Sequence, residues 1–177
     1  MAHIHTEPGQ HDHTVSAYII RIDSDEPKIM LHLHKKQGTY MQFGGHIELD
    51  ETPWQAIIHE LREEAGYDLD QLMILQPTTR ITHLSDGAIP HPQPMSHSTH
   101  NFDNKHSHID IAYAMVARNA PNYSPDENES TDIKLFTRSE LQALPKELIF
   151  ENVREIALYA LDEIYGSWEE VPTNTFK

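Results

Sequence analysis

The stretch GGHIELDETPWQAIIHELREEAGYDL, residues 44–69, places many acidic side chains directly after a pair of glycines. Its seven carboxylates are Glu48, Asp50, Glu51, Glu60, Glu63, Glu64 and Asp68. Like charges four residues apart destabilise a helix by about 0.2–0.5 kcal/mol per pair. Such crowding indicates that another group offsets the repulsion, and a divalent cation is the simplest candidate.

Residues 52–65 are predicted to form a helix with well-defined ends. Thr52 suits the N-cap position, Pro53 suits the first helical position, and Gln55 completes a capping box with Thr52. Gly66 supplies the residue that ends the helix. The acidic cluster is therefore carried on a helix that follows a glycine-rich loop.

The helical repeat of about 100° per residue divides this helix into faces. One apolar face is expected to pack on a sheet and consists of Trp54, Ile57, Ile58, Leu61 and Ala65. Glu60, Glu63 and Glu64 fall on the adjoining face, whereas His59 is predicted to point away from the apolar face. Three carboxylates beside glycines form an oxygen-rich site suited to Mg²⁺ or Mn²⁺. The simpler alternative is a solvated acidic helix face.

The same segment resembles the Nudix box, G-x5-E-x7-R-E-U-x-E-E-x-G-U, in which U is a bulky apolar residue. The matching positions in residues 45–67 are Gly45, Glu51, Glu60, Leu61, Glu63, Glu64, Gly66 and Tyr67. His59 stands where the family has an arginine, which usually holds the loop glutamate in place. That glutamate corresponds here to Glu51.

The resemblance implies an α/β fold, namely a Nudix-type α/β/α sandwich with a mixed β-sheet and the box as loop–helix–loop. It implies hydrolysis of a diphosphate bond in a nucleoside diphosphate linked to another group, with Mg²⁺ or Mn²⁺. The implied metal ligands are Glu60, Glu63, Glu64 and a backbone carbonyl of Gly44 or Gly45. The implied catalytic residues are Glu51, Glu60 and Glu63, of which Glu51 orients the cluster and Glu63 is a ligand or the base that activates water.

The rest of the chain is expected to complete a single domain of 177 residues. Strands are predicted at residues 14–22, 28–35, 40–43, 72–83, 108–118 and 132–137, and helices at residues 138–144 and 150–165. Residues 1–13 are predicted to be a polar, histidine-rich arm. Residues 85–107 are predicted to be a long loop rich in proline and histidine, of a length that is usually functional or disordered.

The composition of the chain limits the cellular locations and the classes of partner that we expect for this protein. The formal net charge of −15 argues against a nucleic-acid polymer or an anionic membrane as partner. The chain has no cysteine, which removes disulfides and counts against isopentenyl diphosphate isomerase on the same fold. No apolar run of about 18 residues is present, so we expect a cytoplasmic protein. Its partner would be a small nucleotide-type diphosphate, and a homodimer stays an open alternative.

Fourteen histidines form a second feature of the sequence. In HSHIDIAYA, a strand would place five alternate residues on one face: His106, His108, Asp110, Ala112 and Ala114. Polar residues followed by small ones suggest a substrate-binding pocket wall over which residues 85–107 would close. The alternative is that Asp110 is a buried structural carboxylate. Asp132 is a further candidate for substrate binding, and Asp132 or Glu129 could add a carboxylate to the metal cluster.

Two other histidine groups carry weaker expectations. The HDH sequence at residues 11–13 precedes a strand and could approach the same region, where it would bind a transition metal or contact substrate phosphates. A polar arm is the alternative. His32 and His34 share one strand face, which is predicted to meet solvent or a partner.

Two further functions stay open at this stage. His59 favours a non-catalytic nucleotide-binding or regulatory module derived from a Nudix hydrolase, but the retained Glu51, Glu60, Glu63 and Glu64 argue against it. A histidine-rich metal store would not need the ordered acidic box.

Overall fold

A computed structural model describes residues 7–101 and 106–176. The strands in this part of the chain are β1 His11–Arg21, β2 Lys28–Leu33, β3 Tyr40–Met41, β4 Phe43–His46, β5 Leu72–Gln76, β6 Ser96–Asn101, β7 Ser107–Ala117, β8 Ile133–Phe136 and β9 Glu169–Pro172. The helices are α1 Pro53–Ala65, α2 Arg138–Ala143 and α3 Glu151–Tyr159, which continues as a π-helical turn, Ala160–Ile164. Single 3-10 turns occupy Leu69–Gln71 and Thr173–Thr175.

All the described strands belong to one mixed sheet with the order β3-β2-β1-β7-β5-β9. The central pair, β1 and β7, is parallel over its whole length, from His11 opposite Ser107 to Arg21 opposite Ala117. β4 pairs antiparallel with β1, β6 with β7, and β8 with β2. Four strands therefore run side by side where β1 and β7 begin: β4, β1, β7 and β6.

Helices cover both faces of the sheet. On one face, the buried side chains of α1 include Trp54, whose ring lies 5.9 Å from that of Tyr113 on β7. On the other face, Ala157 of α3 packs in a second cluster with Tyr18 and Ala114. Alternate residues of each strand point to opposite faces, which is why one strand serves both clusters. The α/β/α sandwich expected from the sequence is confirmed.

Helix α1 begins and ends as the sequence predicts. Thr52 Oγ1 accepts the N–H of Gln55 at 3.2 Å, and Gln55 Oε1 accepts the N–H of Thr52 at 2.9 Å. Gly66 adopts a left-handed conformation with φ of 72°. A Cβ at this position would lie 2.1 Å from the Tyr123 carbonyl oxygen, so glycine is required where the helix ends.

Several expectations for the histidine-rich segments are wrong. Residues 11–13 are part of β1 rather than of an arm, and residues 1–6 lie outside the described chain. Within residues 85–107, the segment Ser96–Asn101 forms β6 along β7, because the backbone hydrogen bonds of an edge strand compensate for weak strand-forming side chains. Residues 102–105 lie outside the described chain. β9, which pairs with β5, has no counterpart in the sequence prediction.

Two predicted surfaces are buried. Ala112 and Ala114 pack in the cluster under α3, so they leave no open space at a pocket wall. His32 is buried against Phe43, with ring centroids 5.1 Å apart, and does not meet solvent. Burial lowers the pKa of His32 to about 4, with a smaller contribution from His34. Across the described residues, no helix combines the length and the apolar character needed to cross a bilayer.

Candidate active site

Two carboxylates of α1 are buried where the helix meets β4. Glu60 is 4% exposed and Glu64 is 7% exposed, and they are one helical turn apart. Glu64 Oε2 accepts the backbone N–H of Gly44 at 2.8 Å. Gly44 has a φ of +144°, and a Cβ there would lie 2.0 Å from the Val15 carbonyl oxygen. Glycine at this position therefore lets β4 approach β1 and present its N–H to Glu64.

Both carboxylates of this pair have strongly raised pKa values. Burial, followed by the charge of Glu63, raises the pKa of Glu60 to about 7. Burial, followed by the charge of Glu60, raises the pKa of Glu64 to about 9, although the Gly44 N–H acts in the opposite direction. Strongly shifted carboxylates held together beside a loop mark a candidate functional site. A cation beside them would reverse both shifts, since an opposite charge favours the ionised form.

His59 connects the other two motif glutamates. Its Nε2 lies 2.7 Å from Glu63 Oε1, and its Nδ1 lies 3.4 Å from Glu51 Oε1. Partial burial lowers the pKa of His59, but the surrounding carboxylates, Glu63 first, outweigh it, so the pKa is raised overall. His59 lies away from the apolar face of α1, as predicted, and its exposed ring contacts Glu51 and Glu63.

The segment after β7 runs along the end of α1. The N–H of Asp126 donates to the carbonyl of Glu63 at 2.8 Å, and the N–H of Glu129 donates to the carbonyl of Asp126 at 2.8 Å. The charge of Glu129 contributes to the raised pKa of Glu60 and of Glu64. Glu129 is thus the downstream carboxylate that approaches the cluster.

Asp132 is placed differently from Glu129. It lies just before β8, its side chain is exposed, and its Oδ1 is 3.9 Å from Lys134 Nζ. Its backbone carbonyl accepts the N–H of Leu33 at 2.8 Å. Substrate binding by Asp132 stays a prediction.

Asp110 is a buried residue of β7, and its side chain lies on the sheet face opposite α1. Its Oδ1 accepts hydrogen bonds from Thr14 Oγ1 and Ser16 Oγ, each at 2.8 Å. Burial raises the pKa of Asp110, and the two hydroxyl groups partly counter this effect. These contacts are those of a buried, hydrogen-bonded carboxylate that ties β7 to β1. Its part in substrate binding stays a prediction.

A second polar cluster lies on the same face as Asp110, where β4, β1 and β7 run side by side. It contains Asp12, His46 and His108, each of which offers one ligand atom within 4.8 Å of the other two. His46 Nε2 is 3.7 Å from Asp12 Oδ2, and His106 Nε2 is 3.8 Å from the same oxygen. The structure therefore brings the predicted residues His106 and His108 together with Asp12 and His46.

The chemistry of the acidic cluster fits a hard divalent cation. Glu60 and Glu64 offer carboxylate oxygens, which are the ligands that Mg²⁺ and Mn²⁺ prefer. The N–H of Gly44 holds Glu64 in place, whereas the predicted use of a Gly44 or Gly45 carbonyl as a ligand stays a prediction. Glu51 and Glu63 complete the set of motif carboxylates around the helix.

Comparisons with known proteins agree with this architecture. The family described as "NUDIX domain" matches residues 12–158. The structure of a NUDIX-family hydrolase from Clostridium perfringens is 30% identical with a TM-score of 0.68, covering 85% of this chain and 96% of that one. No curated protein matches the chain. The chain therefore belongs to the Nudix family, and it is a Nudix-type pyrophosphohydrolase.

Two less similar structures share the fold. An Ap4A hydrolase from C. elegans is 18% identical with a TM-score of 0.61, covering 82% of this chain and 92% of that one. The NUDIX domain of Shewanella oneidensis NrtR, solved with ADP ribose, is 15% identical with a TM-score of 0.59, covering 83% and 84%. At these identities, the likeness extends to the fold alone.

The sequence does not predict that Asp12 and His46 lie beside His108 in the second polar cluster. Asp12 was included only in an arm that could approach the site, and His46 stood alone directly after the glycine pair. Their proximity depends on the pairing of β1 with β4 and β7. The one available signal was the alternation of polar residues into the start of β1, since Asp12, Thr14 and Ser16 share one face.

Proposed function

We propose that this protein hydrolyses a diphosphate bond in a nucleoside diphosphate linked to another group, with Mg²⁺ or Mn²⁺ as cofactor. The observation that carries the proposal is the buried Glu60 and Glu64 pair, fixed by the Gly44 N–H and surrounded by further carboxylates. Burying like charges together is unfavourable unless a cation compensates them. The net charge of −15 strengthens this argument, because an anionic substrate would otherwise be repelled.

Glu60 and Glu64 would hold the metal, with Gly44 and Gly45 on the adjoining strand β4. When bound, a divalent ion neutralises phosphate charge and lowers the pKa of bound water. The protein's own contribution is rigidity: Gly44 donates to Glu64, and the apolar face of α1 fixes the direction of both carboxylates. A rigid carboxylate pair needs little rearrangement to bind the ion.

Glu63 is the best-placed carboxylate to accept a proton from the attacking water. Its side chain is 39% exposed, compared with 22% for Glu51, so water reaches it more easily. His59 bridges Glu63 and Glu51 and thereby holds both in position. It replaces the arginine of the motif with a shorter side chain that contacts two glutamates.

The substrate would extend over the polar end of the sheet beside β4. His46 lies two residues from Gly44, a separation of about 7 Å along a strand, and shares its sheet face with His108 and Asp110. His46, His106 and His108 offer ring N–H donors to anionic oxygens, whereas the Asp110 carboxylate accepts hydrogen bonds from Thr14 and Ser16. We therefore place the substrate-binding residues His106, His108 and Asp110 at this edge.

A release screen tests the proposal. The metal-free full-length protein is incubated with nucleoside diphosphate sugars, ADP-ribose, dinucleoside polyphosphates and nucleoside triphosphates, with Mg²⁺, Mn²⁺ or chelator, and products are separated by chromatography. We expect a nucleoside monophosphate product only with metal, and product formation about 100-fold slower with Glu60→Gln. Nucleotide binding without turnover under every metal condition would instead identify a regulatory module.

A further inference from the structure

We propose that Asp12, His46 and His108 form a second metal site, which takes an imidazole-binding divalent transition metal such as Zn²⁺ rather than Mg²⁺. Two nitrogen donors and one carboxylate suit Zn²⁺ and its neighbours in the first transition row, whereas Mg²⁺ prefers oxygen ligands. The inference does not rest on the proposed hydrolysis, since none of its three ligands belongs to the Glu60 and Glu64 metal site on the other face of the sheet.

Three neighbouring strands fix the ligands. Asp12 of β1 lies directly opposite His108 of β7. His46 of β4 lies opposite Thr14, which is two residues along β1 from Asp12. Residues opposite and diagonal to one another on a sheet face are within reach of long side chains. The site is thus built on the ends of three paired strands and not on a loop.

The distances are close to those of a bound ion. A tetrahedral Zn²⁺ with ligand bonds of about 2.0–2.1 Å separates its donor atoms by about 3.3 Å. His46 Nε2 and Asp12 Oδ2 are 3.7 Å apart, and all three ligand atoms lie within 4.8 Å of one another. Binding of the ion would require the three side chains to rotate and bring their ligand atoms closer together.

Burial distinguishes this cluster from a surface group of histidines. Asp12 is 1% exposed and His108 is 6% exposed, so the ligand atoms lie inside the fold and not among solvated surface side chains. Protonating both histidines would place two positive charges on rings whose centroids are 5.0 Å apart. A single divalent ion shared by neutral imidazoles compensates Asp12 without that repulsion.

The surroundings provide access and an open position. The His46 side chain is 13% exposed, which leaves a path from solvent. Three protein ligands leave a fourth position for water or for an anionic oxygen. His106, whose Nε2 lies 3.8 Å from Asp12 Oδ2, flanks the same carboxylate. The ion would therefore add positive charge at the sheet edge, about 7 Å from Gly44 along β4.

Equilibrium dialysis of Zn²⁺ against the metal-free full-length protein, with excess Mg²⁺ present to fill the carboxylate site, tests the inference. We expect one Zn²⁺ per chain and a higher melting temperature with Zn²⁺. His46→Gln, His108→Gln and Asp12→Asn should each weaken Zn²⁺ binding about 100-fold or more, because changes to outer-shell groups alone already cost 10–100-fold. Glu60→Gln and the exposed His83→Gln are the matched controls and should bind Zn²⁺ as the wild type does.

Cu²⁺ provides a second measurement that does not depend on affinity. The electron paramagnetic resonance spectrum of bound Cu²⁺ should report two nitrogen ligands, and one in the partly exposed His46→Gln, which tests the site even if His108→Gln fails to fold. Absence of Zn²⁺ binding by the wild type, or stoichiometric binding that persists in the His46→Gln and His108→Gln double variant, would overturn the inference. In either case, metal-dependent turnover and its loss in Glu60→Gln would be unaffected.

Discussion

The carboxylate cluster of α1 and the histidine cluster of the sheet differ in how the chain assembles them. Glu60, Glu63 and Glu64 come from a single helix, within five consecutive residues. Asp12, His46 and His108 come from three strands and span 96 residues between Asp12 and His108. The first cluster offers only oxygen donors, whereas the second offers mostly nitrogen donors. Because the donor atoms differ, we expect the two clusters to select different cations, although both adjoin β4.

The carboxylate cluster depends on local helical structure, whereas the histidine cluster depends on the pairing of distant strands. The spacing of the helix alone places Glu60 beside Glu64, whatever the rest of the fold does. The histidine cluster exists only when β4 and β7 both pair with β1 in the observed register. A slip of one residue would send every side chain of a strand to the other face.

The largest expected effect is on turnover. Glu60→Gln and Glu64→Gln should each reduce kcat by about two orders of magnitude, because each removes a charged metal ligand. The metal-free variants should fold as well as the wild type or better, since repulsion between buried carboxylates is relieved. Steady-state kinetics on the best substrate of the screen, with thermal melts, measures both. Glu155→Gln, an exposed helical glutamate of α3, is the control.

A buried histidine outside both clusters should make stability depend on pH. The pKa of His32 is about 4 in the folded protein and 6.5 in an ordinary environment, so the unfolded chain binds more protons between these values. Stability attributable to neutral His32 is therefore complete above pH 6.5 and is lost as the pH falls toward 4. Between pH 7 and pH 5 the loss should be about 2 kcal/mol.

His32→Leu removes this titration. Urea unfolding at several pH values should show that the free energy of unfolding of the variant falls less steeply between pH 7 and pH 5 than that of the wild type. Equal slopes for the two proteins would show that His32 does not titrate in this range. The exposed His83→Leu serves as the control.

Asp110 tests whether the polar face of β7 stabilises the sheet. Asp110→Ala leaves the buried hydroxyl groups of Thr14 and Ser16 without their shared acceptor. The free energy of unfolding should fall by about 2 kcal/mol, the usual cost of leaving buried polar groups unsatisfied. Asp110→Asn keeps an acceptor oxygen and should cost less. Urea unfolding of both variants measures the difference, and equal losses would contradict this account.

The smallest effect concerns His59. His59→Ala removes the group that contacts both Glu51 and Glu63, so kcat should fall about tenfold, as is typical when a supporting contact is lost. His59→Arg restores the residue of the motif and should keep or raise kcat. A large loss in His59→Arg would show that the histidine has a role of its own, such as contacting the substrate. Kinetics at fixed Mg²⁺ gives kcat and KM separately.

Most of the elements near the motif could be predicted because their signals are local. The capping box at Thr52 and the stop at Gly66 were read from neighbouring residues, and both are confirmed. The strands at β1, β2 and β7 followed from alternating or continuous apolar residues. β6 could not be predicted, because Ser96–Asn101 has little apolar content and gains its order from hydrogen bonds to β7.

The acidic helix, its ends and the class of cation that its carboxylates suit could all be predicted from the sequence, because they depend on residues within one or two helical turns. Three other features depend on contacts between distant parts of the chain: His59 bridges Glu51 and Glu63, His32 is buried, and Asp12 lies beside His46 and His108. Strand order and register are set by packing of the whole core on both faces of the sheet. No local pattern in the sequence encodes which distant side chains that packing brings into contact.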